Sequence, residues 1–213
     1  MPTSPLRQIS DSATLVEDDL IGLVTSRICH DLVSPIGAID NGVELMTALS
    51  GTPHSAEMGL IGESARSAGL KLRLFRLAFG VASADATSRA GDLSQIFGGS
   101  FNRPRLRFTW VSEPRDMARP EAKLAALALL CADSAMPFGG HLQFSTAGDT
   151  LTLTMQGERL RWQDQLWQSL TTQQPFTDVG AGNVQFPMAR LLADQLGRGF
   201  TLRDDAQGKI LTV

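Results

Sequence analysis

SRICHDLVSPIGAIDNGVELM, residues Ser26–Met46, joins a helical apolar period to one histidine on its polar side. Ile21, Val24, Ile28, Leu32, Ile36, Ile39, Val43 and Met46 recur at gaps of three and four, as on a helix with one packed face. A helix turns about 100° per residue, so His30 lies about 200° round from Ile28. Arg27, Ser34, Gly37 and Asn41 fall on the same outward side as His30. The pattern buries one face and presents an imidazole among small and polar groups on the other.

The residues beside His30 sharpen its chemistry. Asp31 can hydrogen-bond one imidazole nitrogen and so fix the tautomer. Pro35 inside the helix removes the backbone bond to the Asp31 carbonyl and costs about 3 kcal/mol. A kink beside a reactive group is one reason to keep such a residue. Gly37 and Gly42 are weak helix formers, by about 1 kcal/mol each against Ala. They either leave the outward face low and open to a protein partner or allow close helix packing. Cys29 turns back towards the apolar seam and is read, like Cys131, as a core-lining thiol.

Working outward, residues 1–11 lack any period and read as disordered. Ser12 can cap a first helix that runs to about Leu49, and Ser50–His54 reads as a turn. A second helix starts near Ser55, with Met58, Ile61, Ala65, Ala68, Leu72, Phe75 and Phe79 on one face. Residues 12–83 thus form an αα-hairpin, whose surplus apolar surface predicts a two-fold dimer closing a four-helix bundle, the alternative being a monomer whose hairpin packs on its own second domain. Residues 84–91 are a small, polar linker.

Residues 92–213 carry a short helix from Asp92, a strand over Arg105–Val111 and a buried helix over Glu121–Ala135. A strand pair follows over His141–Thr146 and Thr150–Gln156. Helices come next over Trp162–Leu170 and Val184–Leu196, the second with Met188, Leu191, Leu192 and Leu196 inward. The final strands are Thr201–Arg203 and Lys209–Val213. That order predicts an α/β sandwich, so the whole chain is α+β: a helical hairpin followed by a sandwich domain.

Ile28–Ile39, ICHDLVSPIGAI, resembles the phosphoacceptor helix of two-component signalling proteins: His, an acidic residue, Leu, and Pro five places after the His. With Asn41-Gly42 and Glu44-Leu45 it is similar to the ChpT type of bacterial histidine phosphotransferase. The resemblance implies that residues 92–213 share the fold of the histidine-kinase ATP-binding domain. The kinase's Mg²⁺-binding Asn is then replaced by Cys131. Its adenine-binding Asp-x-Gly-x-Gly run is missing from Met155-Gln156-Gly157-Glu158-Arg159. Gly180-Ala181-Gly182 is either a remnant of the glycine-rich loop or a plain loop before a helix.

The expected activity is a phosphoryl relay through His30 between receiver-domain aspartates, from a hybrid kinase to response regulators, without ATP. Asp31 would orient the imidazole; Arg27, Ser34, Gly37 and Asn41 would face the phosphate or the partner. No cofactor is expected on this chain, and Mg²⁺ would sit on the receiver. The competing expectations are an ATP-dependent kinase with a divergent pocket and a non-catalytic dimeric adaptor.

Composition narrows the alternatives. At 213 residues, 43% hydrophobic and 19% charged, the chain reads as an ordinary globular protein. A net charge of −3 offers no attraction to nucleic acid or an anionic membrane. No apolar run approaches the ~20 residues of a membrane span, and a cytoplasmic location is expected. Two cysteines and three histidines, without ligand spacing, argue against a metal centre; His54 and His141 read as structural or incidental.

Overall fold

The computed structural model describes residues 17–48, 55–206 and 208–213. The expectations of disorder over residues 1–11, of a Ser12 cap and of a turn over Ser50–His54, with His54 itself, lie outside them. Helices α1 (Glu17–Ala48) and α2 (Ser55–Phe79) form the hairpin. They run antiparallel: Gly42 meets Ile61, while Lys71 reaches back to Asp31. A Cβ on Gly42 would lie 2.5 Å from Ile61 Cγ1, whereas one on Gly37 would meet nothing within 4 Å. Gly42 therefore serves close helix packing and Gly37 keeps the outward face low.

The second half runs β1 (Thr87–Ser88), α3 (Ala90–Phe101), β2 (Leu106–Trp110), β3 (Met117–Ala118), α4 (Arg119–Ser134), β4 (Gly140–Ala147), β5 (Thr150–Gln156), α5 (Asp164–Thr171), a 3₁₀ turn at Ala181–Asn183, α6 (Gln185–Gln195), β6 (Thr201–Asp205) and β7 (Gly208–Thr212). Five strands form one sheet in the order β2-β4-β5-β7-β6. Only β2 and β4 pair in parallel, and α4 makes the crossover that a parallel pair needs. At the exit from α4, Gly140 has φ +129°, and a Cβ there would lie 2.2 Å from the Gln156 carbonyl.

Alternation explains which faces are covered. Leu151, Leu153 and Met155 of β5 are fully buried, with half-exposed residues between them. Phe97 of α3 packs edge-on against Phe144 of β4 at 5.9 Å, and Trp110 of β2 meets Phe144 at 5.0 Å. Helix α4 is buried along Leu124–Ala132, so it sits within the core rather than over it. Pro120 stands in its first turn, where no backbone donor is lost.

Several expectations are corrected. The linker contains strand β1, which pairs with β3 in a two-stranded ribbon of its own, and α3 begins at Ala90 rather than Asp92. Two-residue strands have too little sequence to show a period. Leu191 of α6 and Leu196 just after it are exposed, because the helix seats itself on Phe186, Ala189 and Ala193 as well as Leu192. Cys29 is exposed, not core-lining; Cys131 is buried. The apolar seam of α1 is wider than one partner helix covers: Pro35 and Gly42 are buried against α2, while Val33 (69%), Ile36 (47%) and Val43 (47%) stay exposed beside Cys29. Among the described residues, no helix is long and apolar enough to cross a membrane.

Candidate phosphoacceptor site

His30 projects from the outward face of α1 with its side chain 85% exposed. Its Nδ1 lies 3.0 Å from Asp31 Oδ1. An ionised carboxylate can only accept, so the ring proton sits on Nδ1 and donates to Asp31. In the neutral ring this leaves the lone pair on Nε2, on a side chain open to solvent. Such an imidazole can act as a nucleophile towards an electrophile carried by a large partner.

Asp31 is itself held by two side chains, Arg27 at its carboxylate and Lys71 at its backbone carbonyl. The Arg27 Nε donates to its Oδ2 at 2.8 Å, one helical turn away. The Arg27 Nη1 donates to the Gly182 carbonyl at 2.7 Å, tying α1 to the 3₁₀ turn before α6. Lys71 of α2 donates from Nζ to the Asp31 backbone carbonyl at 3.1 Å. That carbonyl is the one Pro35 leaves without a helical donor. The proline thus opens an acceptor that the neighbouring helix fills, and the turn carrying His30 is pinned at both its side chain and its backbone.

Arg27 is only 20% exposed, against 85% for His30. The structure therefore places it as a brace between Asp31 and Gly182, with its Nε and Nη1 already engaged. Ser34 and Asn41 are exposed, and Gly37 is half-buried, on the same side as His30. Lys71 and Gly182 are parts of the site that sequence reasoning passed over. The orphaned Asp31 carbonyl was the available signal for Lys71. Nothing local signals Gly182.

Arg27 also faces the C-terminal half of α4. Burial pushes the Cys131 thiol well above its ordinary range, and the Arg27 charge pulls it only part of the way back. Burial likewise raises the Asp133 carboxyl; its ion pair with Arg103 and the nearby Arg27 oppose that shift, and Asp31 adds to it. His141, expected to be structural or incidental, shares a hydrogen bond with Thr109 Oγ1 at 2.9 Å between β2 and β4. Among the described residues, no His, Cys, Asp or Glu cluster is suited to a metal ion.

The profile of the histidine phosphotransferase C-terminal domain matches residues 90–208. The chain belongs to the histidine phosphotransferase family. The match spans the α/β half and leaves the hairpin to the full-length relatives. This histidine phosphotransferase is 34% identical over 199 residues to the protein phosphotransferase ChpT of Brucella abortus (strain 2308), covering 91% of this chain and 94% of the relative. It also superposes on the solved structure of a bacterial phosphotransferase with a TM-score of 0.78 at 31% identity, covering 94% of this chain and 98% of the other. Both matches run through the hairpin, so the His30 helix belongs to the shared architecture.

Proposed function

We propose that this phosphotransferase relays a phosphoryl group between receiver-domain aspartates through His30, without using ATP. The carrying observation is the exposed imidazole whose Nδ1 is held by Asp31 at 3.0 Å, leaving Nε2 as the free nucleophile. In the forward step Nε2 attacks the phosphorus of an aspartyl phosphate. The N–P bond forms, the acyl P–O bond breaks, and the aspartate leaves as a carboxylate with the electron pair. The Nδ1 proton stays on the ring, shared with Asp31, and offsets the charge of the new phosphohistidine. The second receiver reverses the step on its own aspartate. Mg²⁺ belongs to the receivers, where it neutralises the moving phosphoryl oxygens.

Gly37, Ser34 and Asn41 form the low, polar surface on which a receiver docks, and Arg27 acts by holding Asp31. The protein works in the cytoplasm as a homodimer, in which the exposed Val33, Ile36 and Val43 stripe meets a second hairpin. The hybrid-kinase receiver and the response regulator use the same His30 face in turn. The absence of ATP chemistry is supported by the buried Cys131 on α4 and by a β5 that ends Gln156-Gly157 without a carboxylate.

The test is label transfer from a phosphorylated receiver domain to the purified protein, beside His30→Ala and beside labelled ATP alone. Label arriving from the receiver, dependent on His30 and never arriving from ATP, is the expected result. Labelling of His30 by ATP alone replaces the relay with a working kinase. Labelling by neither donor leaves a docking adaptor.

A further inference from the structure

A cavity of about 290 Å³ lies where α2 of the hairpin meets β1, α3 and the start of α4. Four guanidinium groups line it: Arg73 and Arg76 from α2, Arg89 just before α3, and Arg119 at the first position of α4. Asp92 supplies the one carboxylate among the lining residues. None of the four arginines pairs with a carboxylate among the described residues. Arg73 donates to Gln95 Oε1 at 2.9 Å and Arg119 to the Arg76 carbonyl at 3.1 Å, both neutral acceptors.

Ser88 also lines the cavity. It is 8% exposed, and its buried Oγ has no hydrogen-bond partner. A buried hydroxyl without a partner is destabilising, and a ligand that supplies one removes that cost. Like charges gathered at one cavity repel, and the repulsion grows as water is excluded. The excess is felt nearby: Lys123 of α4 has its ammonium pushed below its usual range, first by burial and then by Arg119. Helices α3 and α4 both start at this cavity, so their dipoles add positive potential, although Asp116 Oδ1 takes the first α3 amide at 2.8 Å.

We propose that this cavity binds a phosphate-bearing anion, held by Arg73, Arg76, Arg89 and Arg119 and by the Ser88 hydroxyl. Guanidinium forks match phosphate oxygens, and a group with several charges satisfies more than one fork at once. The volume admits a diphosphate group. Because two of the arginines belong to the hairpin and two to the α/β half, the bound anion bridges the two. The cavity is built from α2, β1, α3 and the start of α4, and none of its lining residues belongs to the His30 site.

The full-length protein is titrated with pyrophosphate and, separately, with guanosine diphosphate, following thermal unfolding and isothermal heats. Sodium chloride at matched ionic strength is the control. A saturable rise in Tm with pyrophosphate is expected. Arg76→Gln with Arg89→Gln, both at exposed positions, is expected to abolish it. Ser88→Ala is expected to weaken binding about tenfold while leaving the empty protein at least as stable, because it removes an unpartnered group. Guanosine diphosphate binding more tightly than pyrophosphate identifies a nucleotide as the source of the phosphate; weaker binding identifies a free polyphosphate. No saturable shift with either anion, the same shift from sodium chloride, or undiminished binding by the double variant overturns the proposal. Phosphoryl acceptance by His30 is read on the same samples and is expected to be unchanged by the double variant, so failure here is separable from failure of the relay.

Discussion

Which ring nitrogen of His30 carries the proton decides what the imidazole can attack, and Asp31 decides the proton. An amide in its place can offer an N–H to Nδ1, which moves the ring proton to Nε2 and removes the free lone pair. Asp31→Asn is therefore expected to slow phosphoryl uptake by about 100-fold or more at unchanged helix content, measured by rapid quench. Uptake at the wild-type rate would reduce Asp31 to a structural partner of Arg27. Gly37 gives a second contrast. A Cβ there meets nothing, so Gly37→Ala is expected to stabilise α1 by about 1 kcal/mol while slowing receiver turnover. Gly42→Ala is expected to destabilise by about 1 kcal/mol, because Ile61 already fills the space. Thermal melts and transfer rates on the two variants separate docking from packing. Asp133 carries a pH signature. Its native carboxyl binds a proton more tightly than the unfolded one, so its contribution is present below about 3.8 and lost as pH rises through the higher native value. The stability of Asp133→Asn relative to wild type should accordingly grow between pH 4 and pH 7; a flat difference in Tm would contradict the raised carboxyl.

At the scale of elements, the link between Pro35 and Lys71 can be measured. Lys71→Met is expected to cost about 1 kcal/mol, since it strips the donor from the Asp31 carbonyl. In a Pro35→Ala background the helix supplies its own donor and the cost should shrink, giving a coupling of about 0.5–1 kcal/mol in denaturant melts. Additive costs would mean that Lys71 serves something other than the orphaned carbonyl. Sequence reasoning anticipated every helix and the five strands of the main sheet, most plainly α1, α2, α4, β4 and β5, whose patterns repeat over several turns or pleats. Strands β1 and β3 have two residues apiece and pair only with one another, so no pattern could reveal them. Cys29 was misplaced for a different reason. Apolar spacing reports that a face is buried somewhere, not which neighbour buries it, and α1 has an apolar flank that α2 does not reach. The His30–Asp31 contact was legible because adjacent residues make it, whereas the Arg27–Gly182 contact spans 155 positions and leaves no local trace.

For the whole molecule, the uncovered flank of α1 is the surface on which the proposed homodimer rests. Val33, Ile36 and Val43, with Leu72 on α2, expose apolar surface along the hairpin. Sedimentation of the wild type is expected to give twice the chain mass, and Val33→Glu with Ile36→Glu to give one. A wild-type monomer would assign that flank to the docking partner instead. The tie from Arg27 to Gly182 also bears on how the protein is made. A nascent chain exposes His30 early, when the turn that receives Arg27 has yet to be synthesised. Contacts between such distant residues close late, because the intervening loop must first be ordered. Ribosome-bound or prematurely terminated chains would display the imidazole on an unbraced helix, so the last third of the polypeptide certifies the first as ready for exchange.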